Sequence, residues 1–137
     1  MERDILCKLD EWKTSPYRKP LILKGARQVG KTWALKEFGA TRYRNCVYVS
    51  LEEMAPGMPS EYAQLFETTR DPKRVIANLS FAAGQPIDSG ETLVILDEIQ
   101  DCPSAVGMLK YFCDEAPEYH IACAGSLLGV RFTRDTS

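Results

Sequence analysis

The 137-residue chain is long enough for one domain with its own hydrophobic core and too short for two. Its content of 45% hydrophobic and 26% charged residues is typical of globular proteins, and no apolar run approaches the ~20 residues of a membrane-spanning helix. The net charge is −2, but residues 1–44 carry a balance of +6 and residues 45–137 a balance of −8. The basic N-terminal part suits the phosphates of a small molecule or a nucleic acid, or it is a solvated surface without a partner.

The start of the sequence and its cysteines indicate the cellular compartment of the protein. The first four residues include two acids and lead into no signal-like apolar region, which predicts a cytoplasmic protein without membrane contact. The five cysteines are odd in number and show no CxxC spacing, and His120 is the single histidine. We therefore expect reduced, mostly buried thiols rather than a disulfide framework or a zinc site.

Apolar periodicity predicts the elements of the first third of the chain. Apolar residues recur at helical spacing near the start and predict an opening helix over about residues 3–14. The run over residues 21–23 predicts a buried strand that leads into a glycine-containing loop. The next helix is expected to begin near Lys31 and to end at Gly39, and residues 46–51 predict a second strand.

The middle of the chain carries clear helix signals. A short helix is expected over residues 61–66. A longer one is predicted to begin after Asp71, which suits the N-cap position, with Pro72 as its first residue. Gly84 is expected to close that helix.

Alternating strands and helices continue to the end of the sequence. Residues 93–96 form a continuous apolar run that predicts a strand buried on both faces. Asp101 and Pro103 are expected to start another helix, and residues 119–124 predict the last strand. This alternation predicts an α/β fold, with a parallel sheet covered by helices on both faces.

Between the first strand and the following helix lies a complete phosphate-binding pattern, GxxxxGK[ST]. Its residues are Gly25, Ala26, Arg27, Gln28, Val29, Gly30, Lys31 and Thr32. The glycines let successive N–H groups face phosphate oxygens, and the helix N-terminus adds partial positive charge. Lys31 is expected to bind the β and γ phosphates of a nucleoside triphosphate, and Thr32 to supply a hydroxyl ligand for Mg²⁺. The alternative is a glycine turn without a ligand.

Two acids follow the apolar run of residues 93–96, at the end of the strand where ligands bind in open α/β sheets. Asp97 is predicted to hold Mg²⁺, and Glu98 to deprotonate a water that attacks the γ-phosphate. Ser126 follows the last strand and is predicted to reach the γ-phosphate if that strand lies between the other two. Gln100 either faces this site or is a surface residue. The alternative is that Asp97 and Glu98 are solvated carboxylates at the end of a strand and that Ser126 is a loop serine without a ligand.

Three motifs together resemble a group of AAA-type ATPases widespread in bacteria and archaea. They are GARQVGKT at residues 25–32, LDEIQ at residues 96–100 and GSLLG at residues 125–129, and the likeness covers about residues 18–129. The resemblance implies a P-loop core with strand order 5-1-4-3-2. It also implies Asp97 as the Walker B acid, Glu98 as the catalytic base and Ser126 at the sensor-1 position, where relatives more often have Asn or Thr.

The sequence is shorter than this group would suggest. Its members are usually much longer, and many carry a C-terminal domain that resembles restriction-type nucleases. We therefore expect residues 1–137 to form a single, incomplete ATPase core, with the core at about residues 18–129, a polar tail at 130–137, and strand 5 and the helical lid missing. An open edge at strand 1 invites self-association. Any nucleic-acid function is expected only in the missing C-terminal region.

The sequence thus predicts an ATPase that binds ATP and Mg²⁺. ATP is favoured because no NKxD-type guanine-binding motif is present. Two alternatives remain open. One is a nucleotide-dependent switch or assembly module that binds ATP with little turnover. The other is a small-molecule P-loop kinase. It is disfavoured by the adjacent acids Asp97 and Glu98 and by the lack of an arginine-bearing lid between the strands.

Overall fold

A computed structural model describes residues 2–23 and 29–125, with side chains for residues 5–23 and 32–125. Helices and strands alternate along these residues. In chain order they are α1 (Glu2–Thr14), β1 (Leu21–Leu23), α2 (Val29–Arg42), β2 (Asn45–Ser50), α3 (Glu61–Glu67), α4 (Pro72–Ala83), β3 (Thr92–Asp97), a 3₁₀ turn (Ile99–Asp101), α5 (Pro103–Glu115) and β4 (His120–Ala124).

The four strands form one parallel sheet in the order β1-β4-β3-β2. This confirms the predicted α/β fold and the 1-4-3-2 part of the expected strand order. The two inner strands, β3 and β4, are buried along their whole length, as their continuous apolar runs require. Because all strands run in the same direction, the C-terminal ends of β1, β3 and β4 lie at the same end of the sheet.

Helices cover both faces of this sheet, and the alternation of side chains along β3 sorts its residues between the two layers. Leu93 and Ile95 pack in the cluster that contains α1 and α2. Val94 and Leu96 pack in the cluster that contains α3, α4 and α5. The same alternation places Asp97, the last residue of β3, on the face covered by α2.

Local capping signals explain the bounds of α4. The Asp71 carboxylate accepts a hydrogen bond from the backbone N–H of Lys73, Pro72 is the first helical residue, and Gly84 ends the helix with a φ of 70°. These predictions are confirmed. Pro103 starts α5 as predicted, but the predicted role of Asp101 in that start is wrong, because Asp101 belongs to the 3₁₀ turn and Cys102 precedes α5.

The predicted end of α2 at Gly39 is also wrong, since the helix continues to Arg42. Gly39 is buried against β2 and β3. A Cβ atom at this position would lie 2.6 Å from the Sγ of Cys46 and 3.2 Å from the Cδ2 of Leu93. The glycine is therefore needed for the close approach of helix and sheet, not for ending the helix.

The cysteines are all free thiols, and their environments differ. Cys102 and Cys123 are buried, Cys46 and Cys113 are half-buried and Cys7 is exposed. The part of the chain that the structure describes contains no group of three or more side chains placed to bind a metal through His, Cys, Asp and Glu alone. It also contains no helix with the length and apolar character needed to cross a membrane.

His120 lies in an aromatic cluster beneath α1. Its side chain is buried, with Nδ1 2.6 Å from the hydroxyl of Tyr43, and its ring packs edge-on against Trp12. Burial, assisted by the positive charges of Arg18 and Lys13, lowers the pKa of His120 to about 4. His120 is therefore a neutral core residue at neutral pH.

We expect Gly39→Ala to lower the free energy of unfolding by about 1–3 kcal/mol, because the added methyl group overpacks the contact with Cys46. Urea unfolding measures the change. Gly107→Ala is the matched control, since Gly107 lies inside α5 with no atom near its added Cβ, and it should stabilise the protein by up to about 1 kcal/mol. Equal effects of the two substitutions would contradict this account of Gly39.

We expect the free energy of unfolding to fall as the pH is lowered from 6.5, the ordinary pKa of histidine, to about 4. In this window the unfolded chain binds a proton at His120 that the folded chain does not, so stability rises with pH by roughly 3 kcal/mol in total. Urea titrations of the wild type and His120→Gln across this range measure the effect. Contributions of carboxylates are common to both proteins and cancel. A pH dependence that is identical in the two proteins would exclude His120 as its source.

Candidate functional site

The predicted phosphate-binding segment leads into the first turn of α2. Residues 25–28 lie outside the described residues. Val29, Gly30 and Lys31 form the beginning of α2, so the N-terminus of the helix lies within the predicted pattern. The N–H groups of a first helical turn have no partner within the helix and are available to an anion. Of the eight predicted P-loop residues, Thr32 alone has a side chain in the described part.

Thr32 and Asp97, the two predicted metal ligands, lie close together. The Oγ1 of Thr32 is 3.5 Å from the Oδ2 of Asp97, although the two residues are 65 positions apart in the sequence. Two oxygens in neighbouring positions of an octahedral Mg²⁺ shell lie about 3 Å apart, given Mg–O distances of about 2.1 Å. A hydroxyl and a carboxylate at this separation fit a Mg²⁺ site, whether they bind the ion directly or through a shared water.

Asp97 as a residue is 8% exposed, and its carboxylate has two further hydrogen bonds. Its Oδ1 accepts the backbone N–H of Glu98 at 2.9 Å, and its Oδ2 accepts the hydroxyl of Tyr48 at 2.5 Å. Both oxygens are thus held by donors from the protein. Tyr48 was not among the residues predicted from the sequence.

Tyr48 reaches Asp97 from the neighbouring strand. It lies two residues before the end of β2 and pairs in register with Ile95, two residues before Asp97. The Nζ of Lys36 lies 4.0 Å from the centroid of the Tyr48 ring. Burial, followed by the hydrogen bond to Asp97, raises the pKa of Tyr48, so its hydroxyl keeps the proton that it donates. The sequence contains only a weak signal for this contact, which is a tyrosine near the end of a predicted strand. Recognising the contact requires knowing that this strand pairs with β3.

Glu98 differs from Asp97 in backbone conformation. With φ at 53° and ψ at 46°, it is the one non-glycine residue of the described chain with a positive φ. A side-chain-bearing residue in this left-handed region costs of order 1–3 kcal/mol, and such strain concentrates at functional sites. The conformation ends β3 abruptly and starts the 3₁₀ turn, so the two adjacent carboxylates have different partners.

Gln100 is the partner of Glu98. Its Nε2 donates a hydrogen bond to the Oε1 of Glu98 at 2.7 Å, while its own buried Oε1 has no hydrogen-bond partner among the described residues. The Gln100 amide packs against Gly125, where a Cβ atom would overlap it and would lie 3.2 Å from the backbone nitrogen of Ile99. Gln100 therefore contacts both the residue after β3 and the residue after β4. Ser126, the predicted γ-phosphate contact, lies outside the described residues.

Comparisons with known proteins identify the fold and family. The sequence matches the model of a family described as the AAA domain over residues 17–134. A search of curated proteins gives no match. Among solved structures, the fold is similar to a chain in the structure of C. elegans PCH-2, with a TM-score of 0.53 and 13% sequence identity. The alignment covers 95% of the present chain but 38% of that chain, and at this identity it shows the fold alone.

Proposed function

The chain belongs to the AAA domain family, whose general function is nucleotide-dependent and of the ATPase type, and on this premise we propose that it binds ATP with Mg²⁺ and hydrolyses the γ-phosphate. The observation that carries the proposal is the 3.5 Å separation between the Oγ1 of Thr32 and the Oδ2 of Asp97. It supports a cation site at the N-terminus of α2, next to the unpaired N–H groups that suit phosphate.

The proposed roles follow the chemistry of phosphoryl transfer. Lys31 and the backbone N–H groups of residues 25–32 bind the phosphates, and Thr32 and Asp97 hold the metal ion. A Mg²⁺ ion held by Thr32 and Asp97 would supply positive charge to offset the negative charge of the phosphates. Glu98 accepts the proton of the attacking water, and Ser126 contacts the γ-phosphate. The separate partners of Asp97 and Glu98 support this division between a metal-binding and a base carboxylate.

A nucleotide-dependent switch with little turnover is the second candidate. The bond from Gln100 to Glu98 favours it, because that bond occupies one of the two carboxylate oxygens that could accept a proton from the water. For either function we propose a cytoplasmic location. Free thiols support it, since cysteines of cytosolic proteins are ordinarily reduced.

We expect purified wild-type protein to bind a fluorescent ATP analogue with Mg²⁺ and to release phosphate from ATP. Lys31→Ala should abolish binding, because it removes a full positive charge from the phosphates. Glu98→Gln should keep binding but lower phosphate release by about 10²-fold or more, because it removes the base. Lys110→Ala on α5 and Glu91→Gln, which lies in an exposed pair with Arg44, are the matched controls and should leave both measurements unchanged.

The outcomes separate the candidate functions. Binding without phosphate release by the wild type would favour the switch over the ATPase. Phosphate transfer to an acceptor other than water would favour a small-molecule kinase. The absence of binding by the wild type would contradict the proposal as a whole.

We also propose that the chain self-associates through the edge of β1. In the described sheet β1 is an outer strand with β4 as its neighbour, and an open strand edge is a template for pairing. A groove of about 1000 Å³ lies beside this edge, between α1 and α5. Sedimentation velocity should show a larger species whose share rises with protein concentration. A monomer at every concentration tested would argue against self-association.

A further inference from the structure

The hydrogen bonds of Asp97 leave one direction open for a cation. A carboxylate offers about four lone-pair positions on its two oxygens. The Oδ1 is engaged by the N–H of Glu98, and the Oδ2 by the hydroxyl of Tyr48. The Oδ2 also accepts a long hydrogen bond of 3.5 Å from the Oγ1 of Thr32, and a cation bound by these two oxygens would replace that bond.

The backbone bond alone does not fix this arrangement. The N–H of Glu98 belongs to the residue next to Asp97 and holds one oxygen, which leaves the position of the other to be set by a second donor. In the described part of the chain the shorter of the two side-chain bonds comes from Tyr48, 49 residues away on β2, at 2.5 Å against 3.5 Å for Thr32. Its bond therefore ties the carboxylate at the end of β3 to the neighbouring strand.

Tyr48 is in turn held by the helix that carries Thr32. Lys36 lies one helical turn after Thr32 in α2, and its Nζ is 4.0 Å from the centroid of the Tyr48 ring. The ring also packs against the cluster of α1, α2 and the sheet. Thr32 and Asp97, the two proposed metal ligands, therefore contact each other directly. A second route of contacts links them through Lys36 and Tyr48.

We propose that Tyr48 is a positioning residue that orients the Asp97 carboxylate for binding of the nucleotide's Mg²⁺. The inference rests on the proposed function, because it assigns Tyr48 a role at that same site. Groups that hydrogen-bond to metal ligands fix their orientation, and their loss ordinarily costs 10–100-fold in metal affinity or activity. A purely structural tyrosine would instead affect the whole domain, with or without metal.

The test compares Tyr48→Phe with Tyr43→Phe. Each substitution keeps the ring and removes one hydroxyl that bonds to another side chain, Asp97 for Tyr48 and His120 for Tyr43. The dissociation constant of a fluorescent ATP analogue is measured in excess Mg²⁺ and in EDTA, and the ratio gives the enhancement of binding by the metal. We expect Tyr48→Phe to lower this enhancement about tenfold with binding in EDTA unchanged. Tyr43→Phe should leave the enhancement as in the wild type.

A double-substitution cycle makes the test specific for Asp97. In an Asp97→Asn background, Tyr48→Phe should lower the enhancement no further, because its only route to the metal has been removed. A full additional loss in that background would overturn the proposal. So would an unchanged enhancement in Tyr48→Phe, or an equal loss of binding in Mg²⁺ and in EDTA. Absence of nucleotide binding by the wild type in both buffers would instead remove the proposed function, and the role of Tyr48 with it.

Discussion

A carboxylate buried at the end of an inner strand needs compensation for its charge, and the arrangement around Asp97 follows from that need. Removing a charged group from water is unfavourable unless donors or an opposite charge replace the water. Two neutral donors, the N–H of Glu98 and the hydroxyl of Tyr48, supply part of this compensation. Among the ion pairs of the described side chains, none includes Asp97. A bound cation beside Thr32 would complete the balance, and the arrangement therefore supports the proposed metal site.

The topology of the sheet brings these groups together. Insertion of β4 between β1 and β3 aligns the ends of three strands, and the alternation along β3 directs Asp97 to the face covered by α2. On that helix, Thr32, Lys36 and Gly39 follow one another at intervals of four and three residues, so they share one side of it. Gly39 allows α2 to approach β2 closely, and this approach places Lys36 over the ring of Tyr48. A single glycine at the sheet therefore contributes to the geometry of a site two helical turns away.

The sequence was informative where the cause of a structure is local. The apolar run before Asp97 and the cap residues Asp71 and Gly84 act on their own neighbours in the chain, and their predictions were confirmed. Gly39 was misinterpreted because its reason is a contact across space with Cys46, whereas a local rule takes a glycine near the end of a helix as its terminus. Tyr48 was missed for the same cause, since its partner lies on another strand.

The candidate site was predictable to the same extent. Complete motifs predicted that Thr32 and Asp97 would approach each other, and in the structure they do. The order of the strands, which makes this possible, followed from the family resemblance, and its 1-4-3-2 part was confirmed. The roles of Lys31, Glu98 and Ser126 remain predictions, because a role depends on chemistry that strand order and spacing do not contain.

The difference between an ATPase and a switch is concentrated at Glu98. Asp97 is held by the backbone and by a half-buried tyrosine, whereas the carboxylate of Glu98 is held by Gln100. A hydrogen bond to a charged group contributes about 1.5–3 kcal/mol, and each 1.4 kcal/mol corresponds to about tenfold in rate. If the water had to use the oxygen held by Gln100, breaking this bond would slow hydrolysis by roughly 10- to 150-fold. This is an upper limit, because the other oxygen of the Glu98 carboxylate accepts no hydrogen bond from the described residues. A general base contributes about 10²–10⁴-fold, so the bond reduces this advantage without removing it across most of that range. The bond is thus consistent with a slow ATPase, and a switch without turnover would need a further constraint on the water or on the γ-phosphate.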